Sequence, residues 1–192
     1  MSGYCPSLWS LSPSNFREID ILEEAYRFFT RKIKGVDGLD YGQRLKKLKR
    51  SSIQIRHERF KVLYLYKIKE GLVPNISKTY GLTFKKHIRY GHRCIVPYFP
   101  IRGKARRARD GSYAWTACNL WNSLPMCVRN ITGEKVNSFK NKLDKVLAFY
   151  PDVPQCGGSG HSYDRNGCKS NSLYDHYRNR DIGHIIDKMI NV

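Results

Sequence analysis

Acidic side chains are scarce in this sequence. Against 35 Lys and Arg stand only 16 Asp and Glu, a formal charge of +19 at neutral pH over 192 residues. A compact chain so charged repels itself until something anionic neutralises it. Nucleic acid is therefore the leading partner, and an anionic lipid or acidic protein surface the rival. No apolar run approaches the ~20 residues that a membrane-spanning helix needs. The opening MSGYCPSLWSLSPSNF lacks the basic and continuous apolar regions of a secretory leader, so an intracellular chain in nucleus, cytoplasm or both is expected. The six cysteines (5, 94, 118, 127, 156, 168) show no short paired spacing, which argues for free thiols rather than a disulfide framework. Cys156, His161, Cys168 and His176 are too loosely spaced for a structural zinc site, and neither metal nor cofactor is expected.

What is present is enough to fold. Hydrophobic residues make up 41% of the chain and aromatics 12%, sufficient for one sizeable core or two small ones. Leu22, Ala25, Tyr26, Phe29 and Ile33 predict an amphipathic helix over 20–34, with acids early, cations late and glycines 35 and 38 ending it. A short basic helix near 40–49 and a longer one near 52–70 follow, joined by RSS. Ile53, Phe60, Leu63, Tyr64 and Lys67 trace the stripe of the second, although KVLYLYKI also alternates as a strand would.

From Lys85 to Arg109 the chain carries nine Lys and Arg and no carboxylate. Its prolines and glycines argue against a regular helix, and RCIVPYF is the best short-strand candidate. In YAWTACNLWNSLP, Tyr113, Ala117, Leu120, Trp121 and Leu124 share one helical face that stops at Pro125. Val136, Phe139, Leu143, Val146 and Leu147 repeat at the same spacing in the next helix, against which the Trp121 face is expected to bury. The expected architecture is mainly α: a helical segment over 1–80, a basic irregular linker over 81–112 with a short strand or hairpin near 93–101, a helical pair over 113–150, and a loose tail over 151–192 that regains a short helix near 181–190.

The order of these pieces resembles a known family. Tyr4 and Trp9 open the pattern. Leu22, Glu23, Arg27, Phe29, Thr30 and Arg31 form a helix motif, and Gly38, Leu39, Tyr41, Arg44 and Leu45 a turn motif. They are followed by Tyr66, Lys67 and Ile68, by Trp121, Asn122, Leu124 and Pro125, and by Ser138, Phe139, Lys140, Leu143 and Asp144. Together, over residues 3 to 150, they are similar to the segment after the palm in the reverse transcriptases (RNA-directed DNA polymerases) of LINE-type non-LTR retrotransposons, of the jockey-like and chicken-repeat sort. The resemblance implies a thumb-like region that grips template, primer or element RNA, and an upstream reverse transcriptase domain if the parent chain is intact.

The departures matter as much. Polymerases place carboxylates around two metal ions roughly 4 Å apart, and this chain has no adjacent Asp-Asp pair, no fingers or palm and no endonuclease. The expectation is a carboxy-terminal remnant without catalysis of its own, Met1 being the nearest methionine in a truncated copy. The rivals are a scaffold protein with basic faces and a decayed fragment without selected function.

The expected nucleic-acid contacts are cationic: Arg31, Lys32 and Lys34; Arg44, Lys46 and Lys47; Arg89 and Arg93; and Arg102, Lys104, Arg106, Arg107 and Arg109. Tyr98, Tyr113 and Trp115 lie among them as possible base-stacking groups.

Overall fold

A computed structural model describes residues 16–73, 82–88, 91–96 and 112–150, with positions 103 and 152. The fold is mainly helical. In chain order it comprises α1 (Phe16–Arg31), α2 (Tyr41–Lys47), α3 (Ile53–Lys69), the strands β1 (Thr83–His87) and β2 (Gly91–Ile95), and then α4 (Tyr113–Ser123), α5 (Met126–Arg129) and α6 (Val136–Leu147). The tail and its expected helix near 181–190 lie outside the described residues.

Helix α3 is the axis of the molecule. It touches α1 on one side and α4 and α6 on the other, so the single stripe expected from its sequence is a correction. Ile55, Val62, Leu63, Leu65, Tyr66 and Ile68 are all buried, and Ile53 and Phe60 face toward α1. One apolar cluster draws on α3, the hairpin, α4, α5 and α6. Its centre is aromatic. Tyr66 stacks on Phe139 with ring centroids 3.8 Å apart, and Trp121 lies 6.2 Å from Phe139, so the Trp121 face does bury against the 136–147 helix. Such ring pairs add about 0.5–1.5 kcal/mol each beyond area burial.

The start of α3 shows how polar side chains stop and start the helices. Its first N–H groups have no partner within the helix and need acceptors. The Ser52 side chain accepts from the Ile55 N–H, Glu23 Oε2 from the Ile53 N–H at 2.8 Å, and Asp152 Oδ2 from the Ser52 N–H at 2.7 Å. Glu23 also accepts from the Tyr41 hydroxyl, so one buried carboxylate joins α1, α2 and α3. Asp40 and Gln43 form a capping box on α2. Farther along, Arg59 meets Asp144 with two bonds of 2.5 and 2.7 Å and ties α3 to α6.

Strand β2 overlaps the expected place near 93–101, and its partner β1 lies upstream of it. Strands 83–87 and 91–95 pair antiparallel, with Phe84 opposite Cys94 and Lys85 opposite Arg93. Phe84 meets Trp121 edge-on at 5.8 Å, which fixes the inner face. Gly91 opens β2 at a φ of +67°, where a Cβ would collide with the Asn130 amide and Met126.

Candidate nucleic-acid interface

A two-stranded hairpin is marginal in water by itself, and its outer edge offers unpaired peptide groups. Here side chains from α4 and from the C-cap of α5 occupy that edge. The Trp121 indole N–H donates to the His92 carbonyl at 3.1 Å, and Asn130 Oδ1 accepts from the His92 N–H at 3.1 Å. Asn122 Nδ2 donates to the Cys94 carbonyl at 2.8 Å while its Oδ1 accepts from the Cys94 N–H at 3.1 Å. The Cys118 thiol approaches the same carbonyl at 2.9 Å, and both cysteines are free and buried. Burial, with the lysines 69 and 86 nearby, lowers the His92 pKa below its ordinary value.

This bracing fixes which way the cations point. With Phe84 and Cys94 turned inward, period-two alternation puts Lys85 and Arg93 on the outer face, directly opposite one another, and both are exposed. Directly opposed like charges in a ladder are destabilising. The described hairpin residues contain no carboxylate. Lys86 and His87 are exposed on the same strand as Lys85.

A second cationic group lies where α1 ends beside α2. Arg31, Lys32 and Lys34 are exposed, as are Lys46 and Lys47. Lys47 Nζ donates to the Gly35 carbonyl at 2.6 Å, which draws the two sets together. Lys32 lies over the Phe28 ring at 5.2 Å. Lys49 and Arg50 extend this group and were not singled out by sequence reasoning. Lys49 has a φ of +51°, and the bonds Lys49 N–H to Lys46 carbonyl and Arg50 N–H to Leu45 carbonyl close a Schellman turn there. Glycine is the usual residue at that position, so no local signal marked the lysine. Exposed Asp37 and Asp40 dilute this second group.

Two expected contacts are corrected by burial. Arg44 is inside: one guanidinium nitrogen donates to the Leu39 carbonyl at 2.6 Å, another reaches Thr30 Oγ1 at 3.4 Å, and Tyr41 covers it. Tyr113 is core, edge-on to Tyr64 at 5.6 Å and donating to the Lys61 carbonyl at 3.1 Å, so neither of its faces is open to a base. Trp115 is half-buried on α4, its N–H held by the Ser112 cap. Arg89, Tyr98, Arg102, Lys104, Arg106, Arg107 and Arg109 lie outside the described residues, as do Cys156, His161, Cys168 and His176.

Many of the residues that carry the family resemblance have structural work in this fold. Glu23, Thr30, Tyr41, Arg44, Tyr66, Trp121, Asn122, Phe139, Leu143 and Asp144 all make the buried or bridging contacts described above or fill the core. Of the exposed cations, Arg31 and Lys140 belong to that pattern, whereas Lys32, Lys34, Lys46, Lys47, Lys85 and Arg93 stand outside it. Among the described residues no helix is long and apolar enough to cross a membrane, and no three His, Cys, Asp or Glu side chains are grouped to hold a metal ion. No protein-family model, curated protein or solved structure matches the chain.

Proposed function

We propose that this chain is a non-catalytic nucleic-acid-binding module, the carboxy-terminal, post-palm part of a LINE-type reverse transcriptase, which holds template, primer or element RNA by charge. The observation that carries the reading is the Lys85–Arg93 pair. A fold that uses Trp121, Asn122 and Asn130 to brace β2 holds two exposed cations side by side on the outer face of the braced hairpin. A polyphosphate meets both cations along one backbone, and each neutralised phosphate releases counterions. The exposed lysines and arginine at the α1–α2 junction extend the cationic surface, and the acid-free run beyond β2 supplies more of the same charge. In an intact parent chain the partner would include the upstream polymerase domain, within the nucleus or cytoplasm.

The test is fluorescence anisotropy of labelled single-stranded RNA, duplex DNA and anionic lipid vesicles with the purified full chain, alongside a primer-extension assay. Binding to polynucleotide at about 50 mM salt, weakening on the order of a thousandfold by about 200 mM if some six cations engage phosphates, is expected. No primer extension is expected. Binding to vesicles with none to polynucleotide would favour a lipid-facing scaffold, and extension of a primer by the chain alone would overturn the non-catalytic reading.

A further inference from the structure

Helix α1 turns apolar side chains outward. Ile21 is 59% exposed, Leu22 44%, and Phe28 and Phe29 62% each. Beside them a groove of about 770 Å³ runs between α1, the end of α2 and α3, lined by Leu22, Tyr26, Phe29, Ile33, Ile53 and Phe60 among others. Leu22 and Phe29 form one lip and stand about 10 Å apart along α1. That is the span between anchors i and i+7 of a second helix laid alongside. The charge in the groove is of one sign: Arg50 and Arg56 line it beside His57, with no carboxylate among the lining residues. Arg56 is built into the wall, its Nε donating to the Ser51 carbonyl at 3.2 Å and its guanidinium lying 4.3 Å from the centre of the Tyr26 ring. Arg50 is exposed, as is the adjacent Lys49.

We infer that this groove docks an amphipathic helix of an acidic partner protein, with apolar anchors at i, i+3, i+4 and i+7 set between Phe29 and Phe60 and carboxylates turned toward Arg50 and Arg56. The complementary charge selects an acidic helix over a basic one. A phosphate backbone gains nothing from Ile21, Phe28 and Phe29, whereas an apolar helical face removes them from water. The far wall, half-buried Ile53 and Phe60 on α3, lies back behind the lip, where a flat lipid surface does not follow it. A second copy of the chain is the poorer occupant, since two chains of +19 repel each other.

The test uses the full chain without nucleic acid, so its outcome is independent of the nucleic-acid reading. The probe is a labelled synthetic peptide of about 14 residues, some four helical turns, with leucines at i, i+3, i+4 and i+7 and glutamates on its other faces. A scrambled peptide of the same composition carries the same charge. Fluorescence anisotropy at about 150 mM salt, where distant exposed charges are screened, should show the patterned peptide binding about tenfold or more tightly than the scrambled one. Phe29→Glu, which places a like charge in the apolar contact, and Arg50→Glu should each weaken that binding by about tenfold. Both positions are exposed, so neither change opens the core. Lys140→Glu makes the same change of charge as Arg50→Glu at an exposed position of α6, across α3 from α1, and should leave the affinity nearly unchanged. Equal affinity for the two peptides, no binding of either, a loss matched by Lys140→Glu, or displacement of the peptide by anionic lipid vesicles would overturn the inference.

Discussion

The Asn122 carboxamide closes on both polar groups of Cys94, donating to its carbonyl at 2.8 Å and accepting from its N–H at 3.1 Å. A side chain thus takes the place that a third strand would fill, and the hairpin keeps its orientation on α4. Asn122→Ala leaves both groups without these partners and is expected to cost about 2 kcal/mol, read as a fall of about 4–8 °C in melting temperature. Affinity for single-stranded RNA should fall with it, because the outer cations lose their fixed placement. Unchanged melting and binding would remove the bracing role assigned to the motif Trp121–Asn122.

Lys49 occupies a left-handed turn position that costs a non-glycine residue roughly 1–2 kcal/mol. Lys49→Gly relieves that strain but gives the unfolded chain more freedom, so a net gain of about 0.5 kcal/mol in chemical denaturation is expected. Polynucleotide affinity should drop slightly in the same variant through the lost charge. A destabilised glycine variant would show that the lysine side chain contributes more than its backbone costs.

Much of the helical fold was legible because the signals are local. The spacing of Tyr113, Ala117, Leu120, Trp121 and Leu124 with Ser112 before and Pro125 after is enough to place α4. The first strand of the hairpin was not legible because what holds the pair is distant in sequence: Asn122, Asn130 and Trp121 satisfy β2 from about 28 to 38 positions away. Alternation in TFKKHIRYGHRCI is weak, and no Asn-Gly or Asp-Gly turn announces the reversal. At the candidate site, composition identified cations but not their direction. Arg44 and Lys47 sit three residues apart on one short helix, and only tertiary contacts with Thr30 and Leu39 turn the first inward. The α1 stripe marks an amphipathic helix without saying what covers it, and the structure leaves Leu22 and Phe29 exposed along an open groove.

Burial raises the Glu23 carboxyl pKa above its ordinary value, despite the Tyr41 hydroxyl and Ile53 N–H that favour the charged form; Asp152 adds to the rise and Arg56 opposes it. The folded chain therefore holds this proton more tightly than the unfolded one. The stability it contributes is fully present below the ordinary value of 4.5 and is lost as pH rises through the raised folded value. Glu23→Gln retains an acceptor for Ile53 and a partner for Tyr41, so it should remove that part of the pH dependence and match or exceed the parent at neutral pH. Glu23→Ala, by contrast, should cost about 2 kcal/mol. Denaturant titrations from acid to neutral pH decide it, and identical slopes for parent and Gln variant would contradict the assignment.

The most direct measurement concerns Lys85 and Arg93. Lys85→Glu converts the opposed like charges into an opposite pair, which should leave melting unchanged or raise stability by about 0.2–1 kcal/mol, so any loss of binding cannot come from unfolding. Affinity for single-stranded RNA is measured for both proteins as a function of salt. Weaker binding by the variant is expected, with a log–log slope shallower by about 0.7 or more, the share of one phosphate contact. Equal affinities and slopes for the two proteins, or no binding by the parent even at about 50 mM salt, would contradict it.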